Sequence, residues 1–298
     1  MHKTVLLNEA IENLNLKPGS VYFDGTLGGA GHSARVCSMF DGKVRVVSTD
    51  RDRGAIERAE EKLSKFNCKY DLVLSDYKDI KKVLSNLKIE KVDAILLDLG
   101  LSSDQLDTSG RGFTFRNNEP LLMTFSTDKE DVNAEIIVNT WGEETIADIL
   151  YAYSDERFSR RIAKAIVIER EKKPIKTTSE LVEIISNAVP VSYRKGKIHC
   201  ATKTFQALRI AVNDEISALK QGMADGWEVL NTGGRIAIIS FHSVEDREVK
   251  NFFRDKAKNK EGILVNKKII IPSEKEIEEN PRSRSAKLRV IEKTILSI

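Results

Sequence analysis

The chain has 298 residues and contains little cysteine, little proline and no long apolar run. No apolar stretch approaches the ~20 residues that a membrane-spanning helix needs, and the beginning of the chain shows no apolar core or cleavage site of a signal peptide. The three cysteines, Cys37, Cys68 and Cys200, are too few and too scattered for a disulfide framework or a zinc site. We therefore expect a cytoplasmic protein with no membrane association and no bound metal.

The composition is that of a globular protein, with 41% hydrophobic and 31% charged residues. The net charge of +3 is small, but the cations are clustered. Residues 176–209 carry six lysines and arginines against two glutamates, and residues 281–289 carry four cations and no acid. Such clusters suit a phosphate backbone, although a solvated basic face is an equal alternative on charge alone.

Apolar strands alternate with amphipathic helices in the first 98 residues, which predicts a parallel sheet with right-handed crossovers. The strands are predicted at residues 21–24, 44–49, 71–74 and 92–98. The next buried strand, 235–240, comes more than a hundred residues later, after a mostly helical interval. We therefore predict a Rossmann-like α/β sheet domain, residues 1–106 and 210–298, with an inserted helical domain, residues 107–209. A long helix is predicted at 203–230, and a terminal hairpin ends the sheet at 287–292.

A glycine-rich turn, residues 24–32, lies between the first strand and the first helix of the sheet. Glycines let a ligand approach the backbone, and the start of the helix offers free N–H groups. Asp50 ends the second strand, where a carboxylate can accept both ribose hydroxyls of an adenosine. The same turn also satisfies the dinucleotide fingerprint as Gly29-x-Gly31-x-x-Ala34, a weak match.

Two carboxylates distinguish between the possible ligands of this turn. Asp24 would place negative charge beside the pyrophosphate of NAD, whereas S-adenosylmethionine has no phosphate and carries a cationic sulfonium and an amino group. Asp98 ends the fourth strand at the same edge of the sheet, where a methyl acceptor would arrive. We favour S-adenosylmethionine. An NAD-dependent oxidoreductase and a plain structural turn remain alternatives, and Asp98 has a loop-capping role as its own alternative.

Nine blocks along the chain, in order, resemble the RsmH (formerly MraW) family of bacterial 16S rRNA (cytosine-N4) methyltransferases. The blocks lie at residues 2–9, 24–33, 50–52, 97–107, 111–115, 156–163, 204–210, 239–247 and 280–285. The most specific of them read Asp24-Gly25-Thr26-x-Gly28-x-x-Gly31-His32-Ser33, Asp98-Leu99-Gly100-x-Ser102-Ser103-x-Gln105-Leu106-Asp107 and Ser240-Phe241-His242-Ser243-x-Glu245-Asp246-Arg247. The resemblance covers nearly the whole chain.

The resemblance implies a class I methyltransferase that uses S-adenosylmethionine to N4-methylate a cytidine in the 16S rRNA of the small ribosomal subunit. It also implies cofactor contacts at seven matching positions, namely Ala30, Gly31, His32, Asp50, Tyr77, Asp98 and Gln105. We hypothesise that Asp98 is the catalytic group that polarises the cytosine amine, with a backbone carbonyl of residues 99–102 or the Ser102 side chain as alternatives. A non-catalytic RNA-binding factor of ribosome assembly is a further alternative, and the oligomeric state is open between a monomer and a homodimer.

Several positions depart from the family pattern. Ala30 stands where the family commonly has glycine, a change that preserves the backbone contact if φ is negative at this position. Leu122 and Thr124 replace an acid and a base, and Cys200 and Lys203 replace a proline and an arginine. Because these four positions fall in or beside the predicted insert, they put RNA affinity in question more than cofactor binding.

Three further residues are candidates for the substrate side of the site. Phe113 and Phe115 could stack on a base, and His242, which follows the fifth predicted sheet strand, could lie at the rim of the pocket. Each has a structural alternative of equal weight, core packing for the two rings and a local hydrogen-bonding role for the histidine.

Overall fold

The computed structural model describes residues 3–101, 109–125 and 132–295. The chain folds into two compact units, Met1–Gly100 with Ile216–Ile298, and Leu101–Glu215. The predicted insert, 107–209, lies within the second unit.

The first unit is built on a seven-stranded sheet of order β3-β2-β1-β4-β5-β7-β6. Its strands are β1 (Val21–Asp24), β2 (Arg45–Asp50), β3 (Lys69–Leu74), β4 (Val92–Asp98), β5 (Leu230–Ser240), β6 (Gly262–Leu264) and β7 (Lys287–Lys293). The first five strands are parallel, and β7 runs antiparallel between β5 and β6. The predicted Rossmann-like class I sheet with its terminal hairpin is confirmed.

Helices cover both faces of the sheet. They are α1 (Leu7–Asn13), α2 (Gly31–Phe40), α3 (Arg53–Leu63), α4 (Ile80–Asn86) and three helices from the second half of the chain described below. Successive residues of β4 enter opposite cores: Ala94 and Leu96 pack beside α1 and α2, whereas Ile95 and Leu97 pack beside α4. An uninterrupted apolar strand of this kind is typical of a sheet that is buried on both sides.

The second unit is helical. Its helices are α5 (Ala134–Thr140), α6 (Glu143–Ser154), α7 (Ser159–Lys172), α8 (Thr178–Ala188), α9 (Val191–Arg194) and α10 (Thr202–Asn213). They enclose a hydrophobic core of their own. Phe113 stacks on Phe125 at 5.3 Å, and Phe115 stacks on His199 at 4.7 Å between ring centroids. The two phenylalanines therefore pack inside this unit.

The single long helix predicted at 203–230 is wrong. The chain forms α10 and then α11 (Glu215–Val229), separated at Asp214, whose φ of 49° is left-handed. Aspartate tolerates this conformation better than most residues. It ends α10 at a point where the sequence has no glycine or proline that would predict the end of a helix. The remaining helices are α12 (Ser243–Lys258) and α13 (Glu274–Glu279).

Two of the scattered cysteines form a disulfide, Cys37 of α2 with Cys68 just before β3, across 31 positions of sequence. The sequence does not predict this pairing, because only the crossovers of the folded sheet bring the two segments together. Cys200 is free and buried. Among the described residues, no helix combines the length and the apolar character that a bilayer crossing requires.

Candidate active site

Three aspartates lie at the carboxyl edge of the parallel sheet because each is the last residue of its strand. Asp24 ends β1, Asp50 ends β2 and Asp98 ends β4. The register pairs Asp24 with Ser48 of β2 and with Leu96 of β4, so the three strand ends lie side by side. In open α/β sheets, ligands bind beyond this edge.

The glycine-rich turn closes this edge through Ala30 and Gly31. Ala30 is fully buried, precedes α2 as its N-cap and adopts φ 52°, ψ 33°. A negative φ, the condition under which alanine would preserve the backbone contact, is therefore not met at Ala30: the turn uses the left-handed conformation that glycine would adopt without strain. Position 31 requires glycine for steric reasons, because a Cβ there would lie 1.7 Å from Thr4 Oγ1. The N-terminal segment thus packs directly against the start of α2.

The Asp24 carboxylate stabilises the turn through two hydrogen bonds. Its Oδ2 accepts a hydrogen bond from Ser33 Oγ at 2.6 Å, and its Oδ1 accepts one from the Thr26 N–H at 3.2 Å. Burial raises the pKa of Asp24 from 3.8 to about 6, although these hydrogen bonds oppose the rise. The carboxylate therefore anchors the turn and contributes negative charge to the site.

Asp50 links the end of β2 to the same turn. Its Oδ2 accepts from the Gly28 N–H at 2.8 Å, and its Oδ1 accepts from the Asp52 N–H at 2.9 Å. Burial raises its pKa, and the backbone donors oppose that shift. An ionised carboxylate has about four lone-pair positions, so Asp50 retains the capacity to accept ribose hydroxyls.

Of the three aspartates, Asp98 has the fewest hydrogen-bond partners for its carboxylate oxygens. Its N–H donates to Thr26 Oγ1 at 2.6 Å, and its Oδ2 lies 4.0 Å from His32 Nδ1. Its Oδ1 is buried and has no hydrogen-bond partner among the residues that the structure describes. Burial, together with the charges of Asp24 and Glu245, raises the pKa of Asp98 from 3.8 to about 7, and a backbone hydrogen bond from Gly100 opposes the rise. A buried carboxylate in this state is suited to a cationic ligand, which would satisfy the oxygen and restore the charge.

Tyr77 flanks the turn on the side of β3. It opens a 3-10 turn, Tyr77–Asp79, and its side chain is packed between two glycines. A Cβ at Gly25 would lie 2.7 Å from Tyr77 Cβ, and one at Gly222 of α11 would lie 2.6 Å from Tyr77 Cδ2. The two glycines allow this close packing of Tyr77 against the turn and α11.

His242 has a structural role. It is the N-cap of α12, where its Nδ1 accepts from the Glu245 N–H at 3.3 Å. Glu245 Oε2 returns the bond by accepting from the His242 N–H at 3.4 Å, and it also accepts from the Phe241 N–H at 2.9 Å. Glu245 is itself buried, and its charge acts on Asp98. The pattern of a polar residue followed three positions later by glutamate is a capping box, a signal that the sequence displays.

Six of the seven predicted cofactor residues thus belong to one edge of the sheet: Ala30, Gly31, His32, Asp50, Tyr77 and Asp98. Gln105 lies outside the described residues. The sequence analysis missed the supporting contacts of Thr4, Thr26 and Ser33, and it missed Lys62 of α3, whose Nζ donates to the Gly29 carbonyl at 2.7 Å. Only Thr26 and Ser33 carried a signal, since they are the hydroxyl residues within the turn.

A family model described as the MraW methylase family matches residues 1–294 of the chain. A protein named ribosomal RNA small subunit methyltransferase H from Acetivibrio thermocellus is 47% identical, with 98% of each chain covered. The protein of the same name from Brevibacillus brevis is 44% identical, also with 98% of each chain covered. Among solved structures, a putative methyltransferase from Streptococcus mutans in complex with SAH is similar with a TM-score of 0.47 and 14% identity, covering 98% of this chain and 99% of that one.

Proposed function

The chain belongs to the MraW methylase family, and from that premise we propose that it transfers a methyl group from S-adenosylmethionine to the N4 amine of a cytidine in 16S rRNA. The names of the curated relatives support a small-subunit rRNA substrate. The observation that carries the proposal is the buried Oδ1 of the half-buried Asp98 carboxylate, which has no hydrogen-bond partner among the described residues and lies beside a glycine-rich turn. A cytoplasmic location follows, because ribosomal subunits are assembled there.

The residues at the sheet edge fit S-adenosylmethionine. The backbone of the turn, Gly28 to His32, would hold the amino acid and sugar, Asp50 would accept the ribose hydroxyls, and Tyr77 would lie beside the adenine. When bound, S-adenosylmethionine supplies an activated methyl group on a positively charged sulfur. Three neighbouring carboxylates favour that charge, and they would repel a pyrophosphate.

Asp98 is the proposed acceptor for the cytosine amine. The lone pair of that amine is delocalised into the ring, so the protein must orient the amine toward the methyl group and accept a proton from it. A carboxylate with a pKa of about 7 is matched to this task at neutral pH. Oδ1 of this carboxylate is buried whereas the side chain as a whole is 22% exposed, so the group combines a shielded oxygen with access for an incoming amine.

We assign substrate recognition to the helical unit and to its cationic segment. Arg194, Lys195 and Lys197 are exposed or partly exposed beside α9, and no ion pair of theirs is found within the described chain. An unneutralised cluster of this kind is suited to an RNA backbone. The proposal leaves the identity of the recognised rRNA form, free or assembled, to the experiment.

The first prediction concerns Asp98→Asn. Small subunits from cells that lack this protein would be incubated with radiolabelled S-adenosylmethionine, and N4-methylcytidine would be mapped in the 16S rRNA. Because asparagine cannot take the proton, we expect kcat to fall by about 10²- to 10⁴-fold.

The matched control is Asp148→Asn, which removes an exposed carboxylate from α6 and should leave kcat unchanged. Near-normal turnover by Asp98→Asn would refute the role of Asp98. Absence of any methyl transfer by the unaltered protein would refute the enzymatic proposal and favour a non-catalytic assembly factor.

A further inference from the structure

A cavity of about 320 Å³ lies at the carboxyl end of β5, outside the predicted cofactor site. Three segments of the first unit line it: the residues that follow β5, the residues around α13, and the residues that precede β7. The lining side chains used below are Phe241, Ile271, Pro272, Ile277, Arg284 and Lys287. The volume falls in the range of small-ligand sites, roughly 300–1,000 Å³.

The cavity combines an apolar surface with an available cation. Ile271 is 62% exposed, and it lines the cavity together with Pro272 and Ile277. Arg284 is exposed, and within the described chain it has no hydrogen bond or ion pair. An apolar surface next to a guanidinium is complementary to a nucleotide. The apolar surface can contact the face of the base or sugar, and the guanidinium can bind the phosphate anion.

Basic side chains lie on the β7 side of the cavity. Lys287 Nζ lies 3.2 Å from Asp246 Oδ2, but the same carboxylate already accepts from Arg289 Nε at 2.7 Å. Although burial opposes them, these two cations hold the pKa of Asp246 below its usual range. Arg284 adds a third positive charge, whereas α13, which contributes Ile277 to the lining, carries four glutamates. An anionic group is therefore favoured locally, beside Arg284 and Lys287.

Phe241 connects this cavity to the loop that follows Asp98. The Leu99 N–H donates to the Ile239 carbonyl at 3.0 Å, which fixes the loop beside the end of β5. A Cβ at Gly100 would lie 2.7 Å from Phe241 Cε2, so the loop packs directly on a ring that also lines the cavity. A strand of nucleic acid that presents its base to Asp98 would therefore pass close to the cavity.

We propose that this cavity is a subsite for a nucleotide of the rRNA strand that flanks the methylated cytidine, with Arg284 as its phosphate ligand and Ile271 as its apolar support. The proposal rests on the RNA substrate inferred above. The subsite would fix the register of the strand, so that a single cytidine reaches Asp98 while its neighbour is held.

The test compares Arg284→Gln with Arg254→Gln, which removes a guanidinium exposed at 62% on α12, away from the cavity lining. For Arg284→Gln we expect the KM for small subunits to rise about tenfold, as for loss of a charged hydrogen bond, with an unchanged affinity for S-adenosylmethionine. The slope of log affinity against log salt should become less negative by about one unit, and Arg284→Lys should restore that slope but only part of the affinity. Arg254→Gln should change neither quantity.

A second readout does not depend on activity. Small subunits whose 16S rRNA contains 4-thiouridine would be crosslinked to the protein, and the crosslinked peptides would be identified by mass spectrometry. Crosslinks from a nucleotide adjacent to the target cytidine to residues 268–287 support the subsite. Crosslinks that avoid this segment, together with an unaltered KM for Arg284→Gln, overturn the subsite. Binding of free cytidine monophosphate to the cavity also overturns it if small subunits do not compete with the nucleotide. Failure of the unaltered protein to methylate small subunits would instead count against the proposed function.

Discussion

Ala30 shows how a single side chain can conflict with the backbone that surrounds it. Its φ of 52° places a Cβ in the left-handed region, where L-residues other than glycine are disfavoured by roughly 1–2 kcal/mol. The Asp50 contact with Gly28 and the Thr4 contact with Gly31 fix the turn on either side. The alanine therefore adopts the conformation that the turn requires, at the expense of some stability.

We accordingly predict that Ala30→Gly changes the stability by less than about 1 kcal/mol, because the relief of strain offsets both the added chain entropy and the loss of a buried methyl group. Urea denaturation at constant pH measures the difference. The matched control is Ala34→Gly, inside α2, which gains no relief of strain and should destabilise the protein by about 1–2 kcal/mol. An Ala30→Gly variant destabilised as much as Ala34→Gly would contradict the left-handed turn.

The aspartates of the site make the ligand-free protein sensitive to pH. Burial raises the pKa of Asp24 to about 6 and that of Asp98 to about 7, whereas both ionise near 3.8 in the unfolded chain. Protons therefore leave the unfolded state first as the pH rises. The contribution of these groups to stability is full below about pH 4 and is lost as the pH rises through about 7.

From this difference we predict that Asp98→Asn raises the free energy of unfolding at pH 7.5 by about 1–3 kcal/mol and flattens its dependence on pH between 4 and 7. Urea titrations across that range, with Asp148→Asn as the control, measure both effects. An Asp98→Asn variant whose stability follows the same pH curve as the unaltered protein would show that Asp98 ionises normally.

At the scale of elements, the N-terminal segment and α2 depend on each other at Gly31. A Cβ at this position would lie 1.7 Å from Thr4 Oγ1 and 2.8 Å from Thr4 Cβ. The start of α2 is also the proposed backbone contact for the cofactor. A displacement of Thr4 would therefore disturb the binding site as well as the packing.

Gly31→Ala is predicted to weaken S-adenosylmethionine binding at least tenfold in a calorimetric titration, because either Thr4 or the turn must shift. Adding Thr4→Gly removes the obstructing atoms and should recover part of the affinity. Thr4→Gly alone serves as the control, and its effect should be smaller than that of Gly31→Ala. An unaltered affinity in Gly31→Ala would mean that α2 does not contact the cofactor.

The sheet was predictable from the sequence where the periodicity of apolar residues is strong. β4 has an unbroken apolar run at residues 94–97, and its predicted bounds match the structure because both of its faces are buried. The positions of Asp24, Asp50 and Asp98 were predictable from the same strands, because the last residues of parallel strands lie at one edge of the sheet. Residue type and strand position were sufficient for this part of the site.

Other features were not predictable, for physical reasons that differ. Alanine at position 30 gives no local sign of a positive φ, which the surrounding contacts impose. Asp214 interrupts a continuous helical pattern with no glycine or proline. The pairing of Cys37 with Cys68 depends on crossovers that bring distant segments together, and their sequence spacing does not reveal it.

On the scale of the whole molecule, strands that pair in the sheet can lie far apart in the chain. β4 and β5 are neighbours in the sheet, but Ser240 comes 142 positions after Asp98, and most of the residues between them form a helical unit with its own core. The sheet therefore depends on contacts of long sequence separation, whereas the helical unit is rich in local ones. Proteins dominated by long-range contacts fold more slowly.

This interruption has a consequence during synthesis on the ribosome. At about 5–20 residues per second, the ribosome takes roughly 10–30 s to extend the nascent chain from Asp98 to Ser240. During that interval the free edge of β4 exposes unpaired backbone groups to other chains, while the helical unit can already close on its own core. The nascent protein is thus most vulnerable to misassociation in a defined interval, which ends when β5 leaves the exit tunnel and pairs with β4.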